Sequence, residues 1–255
     1  MVELGVGTVL LLVVAGFLAG AVNAVAGGGS LISFPALLAV GYPGITANVT
    51  NQVAVLPGYV GGSVAYREEL RGQGSRTAAL AATSVIGAVL GAILLVVSPA
   101  EVFDRIVPFL ILFSCLLLAA QPAISRRVRL PAGGGGETRS VRLHVMQFAG
   151  SVYGGYFGAG LGIMLLAVLA LSLADTLQRL NALKGLLSLI VGVASVAFFA
   201  IFESIAWAAA LIMAVTSYAG GQVGVALARR LSAGVLRGLI VVFGIGVALW
   251  LFLAG

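Results

Sequence analysis

The chain has 255 residues, of which 61% are hydrophobic and only 9% are charged. A water-soluble domain of this length needs a far more charged surface, so the composition predicts a single polytopic membrane domain over residues 1–255. The net charge of +6 is carried by short basic clusters between apolar segments. These clusters lack interleaved aromatic residues, which argues against nucleic-acid binding and for membrane loops.

The apolar segments predict an all-α fold with ten helical elements. Most of them have the roughly 20 residues that cross a hydrocarbon core, but the second and the seventh have about half that length. In chain order the predicted elements are Leu4–Ala26, Ser30–Val40, Ile45–Tyr66, Thr77–Val97, Val102–Ala120, Val141–Phe157, Leu161–Leu171, Thr176–Phe202, Ser204–Arg230 and Val235–Ala254.

Each short element follows a glycine break, Gly27-Gly28-Gly29 or Gly158-Ala159-Gly160. We interpret each break as the turn of a re-entrant or broken-helix hairpin, which membrane proteins tolerate where protein buries it or where it lines a cavity. Ser30 is expected to cap the first short helix. The N-terminus of such a helix offers free N–H groups and a positive dipole end, so the breaks predict a site for an anion.

The two halves of the chain match each other and predict an internal duplication. The glycine breaks correspond, Asn51 corresponds to Asn181, and Arg105 corresponds to Arg237. We therefore predict repeats at residues 1–120 and 142–255, each of about five helical elements, joined by a flexible cytoplasmic linker at 121–141. Two further glycine pairs correspond as well, and we expect them to serve close helix packing: Gly87, Gly91, Gly220 and Gly224.

The charge pattern predicts an orientation in the membrane. The basic connectors Arg67–Arg76, Arg126–Arg142 and Arg229–Arg237 are expected in the cytoplasm, and those near Glu101 and Glu203 outside. Counting each short element as half of a hairpin places both termini outside. An odd number of elements per half then gives the repeats opposite, or inverted, topologies.

Several polar residues lie at membrane depth next to the breaks. Lys184 lies ~12 Å into its helix, where a lysine must snorkel to the interface, pair with an acid or meet an anionic ligand. The sequence leaves snorkelling and ligand binding equally open. The candidate substrate-binding residues from both halves are Asn23, Gly28, Gly29, Ser30, Asn51, Gln52, Gly158, Gly160, Asn181 and Lys184.

The sequence lacks the equipment of an enzyme. Its one cysteine, Cys115, lies in an apolar segment, and its one histidine, His144, cannot complete a catalytic triad or a metal site. We therefore expect no catalytic residue, metal or cofactor. Nearly all eight acidic residues lie in connectors, so a buried carboxylate for proton or sodium coupling is not evident.

The residues around both breaks resemble the TauE/SafE sulfite exporter family of bacterial inner-membrane permeases. The likeness is carried by the stretch from Gly20 to Ser30 with Pro35, Gly41 and Thr50-Asn51, and by the stretch from Gly154 to Gly160 with Asn181 to Lys184. This resemblance implies a multi-pass protein of the cytoplasmic membrane that exports sulfite, a small organosulfonate or another sulfur-containing anion.

The expected function is thus export of a small anion from a site near the membrane midplane, between the two hairpins. Anion efflux from a cell that is negative inside gains ~2.3 kcal/mol per charge and 100 mV, so uniport is sufficient. An uptake permease for a sulfonate or other small anion is the alternative, and a non-transporting scaffold or assembly factor is the alternative from another class. The expected partners are the anion and membrane lipid, and a homodimer is left open.

Overall fold

The computed structural model describes residues 4–25, 27–126, 140–228 and 233–254. This part of the chain is all-helical, as predicted, and its secondary structure is a succession of eleven helices. They are α1 (Val6–Val25), α2 (Ser30–Val40), α3 (Gly44–Ala65), α4 (Arg67–Leu70), α5 (Gly74–Val96), α6 (Ala100–Ser125), α7 (Val141–Tyr156), α8 (Leu161–Ser172), α9 (Leu177–Phe202), α10 (Trp207–Ala228) and α11 (Ala233–Ala254).

The ten predicted elements correspond to all of these helices except the single turn α4. Helix α6 continues to Ser125, past the predicted end at Ala120, and α10 begins at Trp207 rather than Ser204. Most of the predicted linker at 121–141 lies outside the described residues, as does part of the third basic connector. Among the described residues, four helices are long and apolar enough, by length and composition, to cross a membrane: α1, α5, α6 and α9.

Both short helices fold back along the helix that precedes them. The reversal after α1 uses Gly27 at φ +84°, and the reversal after α7 uses Gly158 at φ +79° and Gly160 at φ +77°. These angles lie in the left-handed region, where a side chain is strained. Beyond the second reversal, α8 packs its Leu161 and Leu165 side chains over glycines of α7. The two breaks therefore form hairpins, and their short arms are buried.

The tips of the two hairpins touch each other. A Cβ added to Gly162 would lie 2.7 Å from the Cα of Gly27. Beside this contact, the rings of Phe34 and Phe157 meet edge to face with 5.3 Å between their centroids. Glycine at the crossing lets the two backbones approach at the centre of the molecule.

The remaining helices interlock the two halves. Helix α1 packs along α10, and α7 packs along α5. Glycines lie at both crossings: a Cβ on Gly87 would lie 2.8 Å from the carbonyl oxygen of Phe148, and a Cβ on Gly224 would lie 2.6 Å from the Cα of Ala21. These glycines serve close helix packing, as the sequence predicts. Helix α3 also packs against α9, and two narrow cavities lie along this contact.

Replacing Gly162 with alanine should destabilise the protein, because the new methyl group would force the hairpin tips apart. Overpacking of this kind costs about 1–3 kcal/mol. Thermal unfolding in detergent micelles should show a lower Tm for Gly162→Ala. The matched control is Gly246→Ala in α11, where an added Cβ meets nothing within 4 Å, so its Tm should not fall. Equal Tm values for the two variants would contradict the described crossing.

Candidate functional site

The site begins with backbone groups that the glycine breaks leave without helical partners. The last carbonyl groups of a helix have no amide donors within it, and burial in a membrane makes that loss costly. At the end of α7, Asn48 donates from Nδ2 to the carbonyl oxygen of Tyr156 at 2.9 Å, and Gln52 from Nε2 to that of Gly155 at 3.4 Å. Helix α3 thus supplies donors to the hairpin of the other half.

Lys184 performs the corresponding task for the first hairpin. Its Nζ donates to the carbonyl oxygen of Asn23, near the end of α1, at 3.2 Å. The Lys184 side chain is 1% exposed, so it does not snorkel to the surface. A cation also suits a helix C-terminus, where the dipole is negative.

Asn23 also closes the first hairpin from its own side. Its Oδ1 accepts a hydrogen bond from the amide of Gly29 at 2.7 Å. The expectation that Ser30 caps α2 is wrong: the N-cap position is Gly29, and no side chain of α2 itself caps it. The amide of Gly29 is therefore occupied by Asn23, and it is not a free donor for an anion.

The second hairpin is held by Ser114, which the sequence did not single out, and by Tyr153, for which the sequence left a place along the path or at the membrane interface open. The hydroxyl groups of Ser114 and Tyr153 both donate to the carbonyl oxygen of Ala159, at 2.8 and 2.7 Å. The two hydroxyl oxygens are also 2.7 Å apart. A serine in the middle of the apolar helix α6 was the only signal for this contact in the sequence.

A narrow cavity lies beside Lys184, between α1, α3 and α9. We call it the lysine cavity; the space open to the centre of a water-sized sphere is about 10 Å³, enough for about one water molecule. Three polar atoms of its lining residues are buried without a hydrogen-bond partner in the described part of the chain: Nδ2 of Asn23, Oγ of Ser63 and Oδ1 of Asn181. No ion pair among the described residues includes Lys184. The cavity thus combines a buried cation with unpaired polar groups.

A second narrow cavity lies deeper, beside the tip of the second hairpin. We call it the hairpin cavity; the space open to the centre of a water-sized sphere is about 10 Å³, again enough for about one water molecule. Its polar lining includes Ser30 at the start of α2, Gln52 on α3 and Ser188 on α9. The Oγ of Ser188 is buried without a partner among the described residues. None of the described residues that line this cavity is charged.

The structure divides the ten candidate residues into two groups. Six line the cavities: Asn23, Asn181 and Lys184 line the lysine cavity, and Ser30, Gln52 and Gly158 line the hairpin cavity.

The other four candidates line neither cavity. Gly28, Gly29 and Gly160 pack against Leu118, Ala19 and Ser114 respectively. Asn51 accepts a hydrogen bond from Ser33 and so ties α3 to α2. These four residues shape the hairpins.

An ionic cluster joins the two halves next to the lysine cavity. Asp175, just before α9, pairs with Arg76 of α5 and with Arg179 of α9, the latter at 3.0 Å. Gln73 donates from Nε2 to the carbonyl oxygen of Arg179 at 2.9 Å. Arg179 precedes Lys184 by little more than one helical turn. The cluster therefore lies close to the lysine cavity, on the side of the basic connector Arg67–Arg76.

The surroundings of Asp175 favour its charged form. Burial raises the pKa of the carboxyl group, but hydrogen bonds from Arg76, from the Thr176 amide and from Arg179 outweigh burial and hold the pKa below its ordinary value. Since the pKa is lowered in the folded state, the cluster stabilises the protein above the ordinary carboxyl pKa. This contribution is lost as the pH falls through the lowered value.

Comparison with known proteins agrees with the resemblance in the sequence. The family model described as "Sulfite exporter TauE/SafE" matches residues 12–251. A probable membrane transporter protein, ORF9, from Sinorhizobium sp is 26% identical over 98% of this chain and 94% of its own length. A probable membrane transporter protein of Haemophilus influenzae is 28% identical over 94% and 92% of the two chains. The YfcA protein of Escherichia coli K12, also a probable membrane transporter, is 26% identical over 88% and 82%. No solved structure matches the chain significantly.

Replacing Asp175 with asparagine should destabilise the protein at pH 7, because Arg76 and Arg179 lose their charged acceptor. Hydrogen bonds to charged groups contribute about 1.5–3 kcal/mol. Unfolding of Asp175→Asn in detergent should show this loss at pH 7, and the difference from the wild type should shrink below about pH 4. The control is Glu68→Gln, which breaks an exposed pair with Arg71 and should change little. A pH-independent difference would contradict the role of the Asp175 charge.

Proposed function

Since the chain belongs to the sulfite exporter TauE/SafE family, we propose that it exports a small sulfur-containing anion, sulfite or a small organosulfonate, across the bacterial inner membrane. Family and relatives make the chain a multi-pass membrane transporter. The chemical identity of the substrate, the direction of its transport and the position of its binding site are what we propose. The observation that carries it is Lys184, a buried cation beside a cavity at the first glycine break.

A buried lysine is costly unless an anion or a full set of acceptors compensates it. Lys184 has three N–H donors, and one of them is directed to the carbonyl oxygen of Asn23. The groups beside it are uncharged, so the lysine cavity carries a net positive charge. An oxyanion entering the cavity would accept hydrogen bonds from Lys184 and Asn23 and would neutralise the lysine. This is the physical basis for an anionic substrate.

The direction of transport follows from charge and membrane potential. We place the basic connector around α4 in the cytoplasm, on the basis of its arginines. The lysine cavity is then nearer to the cytoplasm, and the hairpin cavity lies nearer to the midplane. Moving an anion outward gains ~2.3 kcal/mol per charge and 100 mV. In the described part of the chain, neither cavity is lined by a carboxylate that could carry a coupling proton, so we propose uniport.

The other two functions fit these observations less well. An uptake permease would have to drive the anion against the membrane potential and would need a coupling group that neither cavity supplies among its described lining residues. A scaffold protein has no use for a buried lysine beside unpaired polar atoms, because such a site lowers stability. We retain export as the function that the geometry supports best.

The proposed function is tested with the purified protein in proteoliposomes loaded with sulfite or with methanesulfonate. An imposed potential, negative inside the vesicles, should accelerate anion efflux relative to protein-free vesicles, because each exported anion carries its charge down the potential. A fluorescent or enzymatic assay of external sulfite measures the rate. An efflux rate that did not depend on the imposed voltage but did depend on a pH gradient would refute uniport. If neither sulfite nor methanesulfonate left the vesicles, the proposed substrate class would be refuted.

Replacing Lys184 tests its charge separately from its hydrogen bond. Lys184→Gln keeps a donor for the Asn23 carbonyl oxygen but removes the charge, whereas Lys184→Met removes both. Loss of a charged hydrogen bond corresponds to roughly 10- to 100-fold weaker anion binding. We expect that loss in both variants, measured as the sulfite concentration for half-maximal efflux, and a lower Tm mainly in Lys184→Met.

The control for the lysine variants is Arg67→Met, which removes one positive charge from an exposed side chain. It should leave the half-maximal concentration nearly unchanged. If Lys184→Gln bound sulfite as well as the wild type, the lysine would be a structural cap of α1 alone.

A further inference from the structure

The lysine cavity and the hairpin cavity share one lining side chain, that of Tyr59. Tyr59 lies on α3 and is 6% exposed. With Tyr59, residues Asn181, Lys184 and Gly185 of α9 line the lysine cavity. Also with Tyr59, Ser188 and Gly192 of the same helix line the hairpin cavity.

The two cavities lie in line along the interface between α3 and α9. On α9, the rise of 1.5 Å per residue places Ser188 ~6 Å beyond Lys184 along the helix axis. On α3, which runs the opposite way along this wall, Gln52 lines the hairpin cavity, and Ser63 and Tyr66 line the lysine cavity. The order of residues on both helices therefore places Tyr59, which lines both cavities, at the junction of two successive compartments.

The compartments differ in how firmly they would hold an anion. The lysine cavity contains a buried cation, whereas the polar lining of the hairpin cavity consists of neutral groups such as the hydroxyls of Ser30 and Ser188. A conduction path requires sites that attract the ion and sites weak enough to release it. A cationic compartment followed by a neutral one has this property.

We propose that the transported anion occupies the lysine cavity and the hairpin cavity in succession, and that Tyr59 is the barrier between them that selects anions by size. This inference rests on the proposed function and adds a second anion position and a specificity-determining residue to it. The Tyr59 ring must rotate each time an anion moves from one cavity to the other. A smaller anion requires a smaller displacement of the ring. Beside the ring, Gly185 leaves room, since an added Cβ would have only Oγ of Ser63 within 4 Å, at 3.8 Å.

The test compares efflux of sulfite with efflux of benzenesulfonate, a bulky anion, from proteoliposomes at one imposed potential. In Tyr59→Ala the ratio of benzenesulfonate to sulfite efflux should rise at least tenfold over the wild-type ratio. In Tyr59→Phe the ring remains, so the ratio should stay within about twofold of the wild type. In Tyr59→Trp the larger ring should slow the efflux of both anions.

The matched control is Val60→Ala, one residue along α3, where the side chain is exposed on the outer face of the helix. It should leave the ratio unchanged. If Tyr59→Ala does not fold, Tyr59→Leu carries the same expectation, because its side chain is shorter than the ring. An unchanged ratio in the folded small variant, or wild-type efflux in Tyr59→Trp, overturns the barrier. Failure of the wild type to move either anion would instead count against the proposed function.

Discussion

The structure depends on one constraint: a helix broken inside a membrane must have its freed carbonyl groups paired by something other than water. Each hairpin meets this constraint with donors from the other half of the chain. Asn48 and Gln52 of α3 pair the end of α7, and Lys184 of α9 pairs the end of α1. The halves cannot separate without exposing these groups. Helix α1 of the first half packs against α10 of the second, and α7 of the second half packs against α5 of the first, so the helices also cross between the halves.

This exchange of hydrogen-bond donors between the halves also explains why the two hairpins differ in charge. Gln52 and Lys184 have the same task, but one brings a neutral amide and the other a positive charge. The charge faces the cavity beside the first hairpin, and the cavity beside the second is lined by neutral polar groups. The two hairpins thus differ in charge: a lysine pairs the backbone of the first, and a neutral amide pairs that of the second. The same lysine pairs the backbone of α1 and is the group that we propose binds the anion, so both roles would use its Nζ.

Much of this arrangement could be predicted from the sequence, because apolar length and glycine breaks act locally. The ten long or half-length elements and the depth of Lys184 follow from helix geometry alone. The cap of α2 could not be predicted, because Asn23 reaches Gly29 across the break and displaces the local candidate Ser30. The contacts of Ser114 and Asp175 likewise join residues far apart in the chain. Whether the halves are inverted repeats remains a prediction, which the paired packing of their helices supports.

Along the chain, the ionic cluster of Asp175 and Arg179 precedes Lys184, and Ser188 of the hairpin cavity follows it. Asp175 with its two arginines lies toward the basic connector, and Tyr59 lies toward the hairpin cavity. If the Tyr59 ring is the barrier between the two cavities, as we propose, an anion beside Lys184 is separated from the hairpin cavity by one side chain of α3. The ion pairs of Asp175 and the linings of both cavities all include residues of α9 or of the segment just before it. A displacement of α9 relative to α3 and α5 would therefore change the ionic cluster and the surroundings of Tyr59 together.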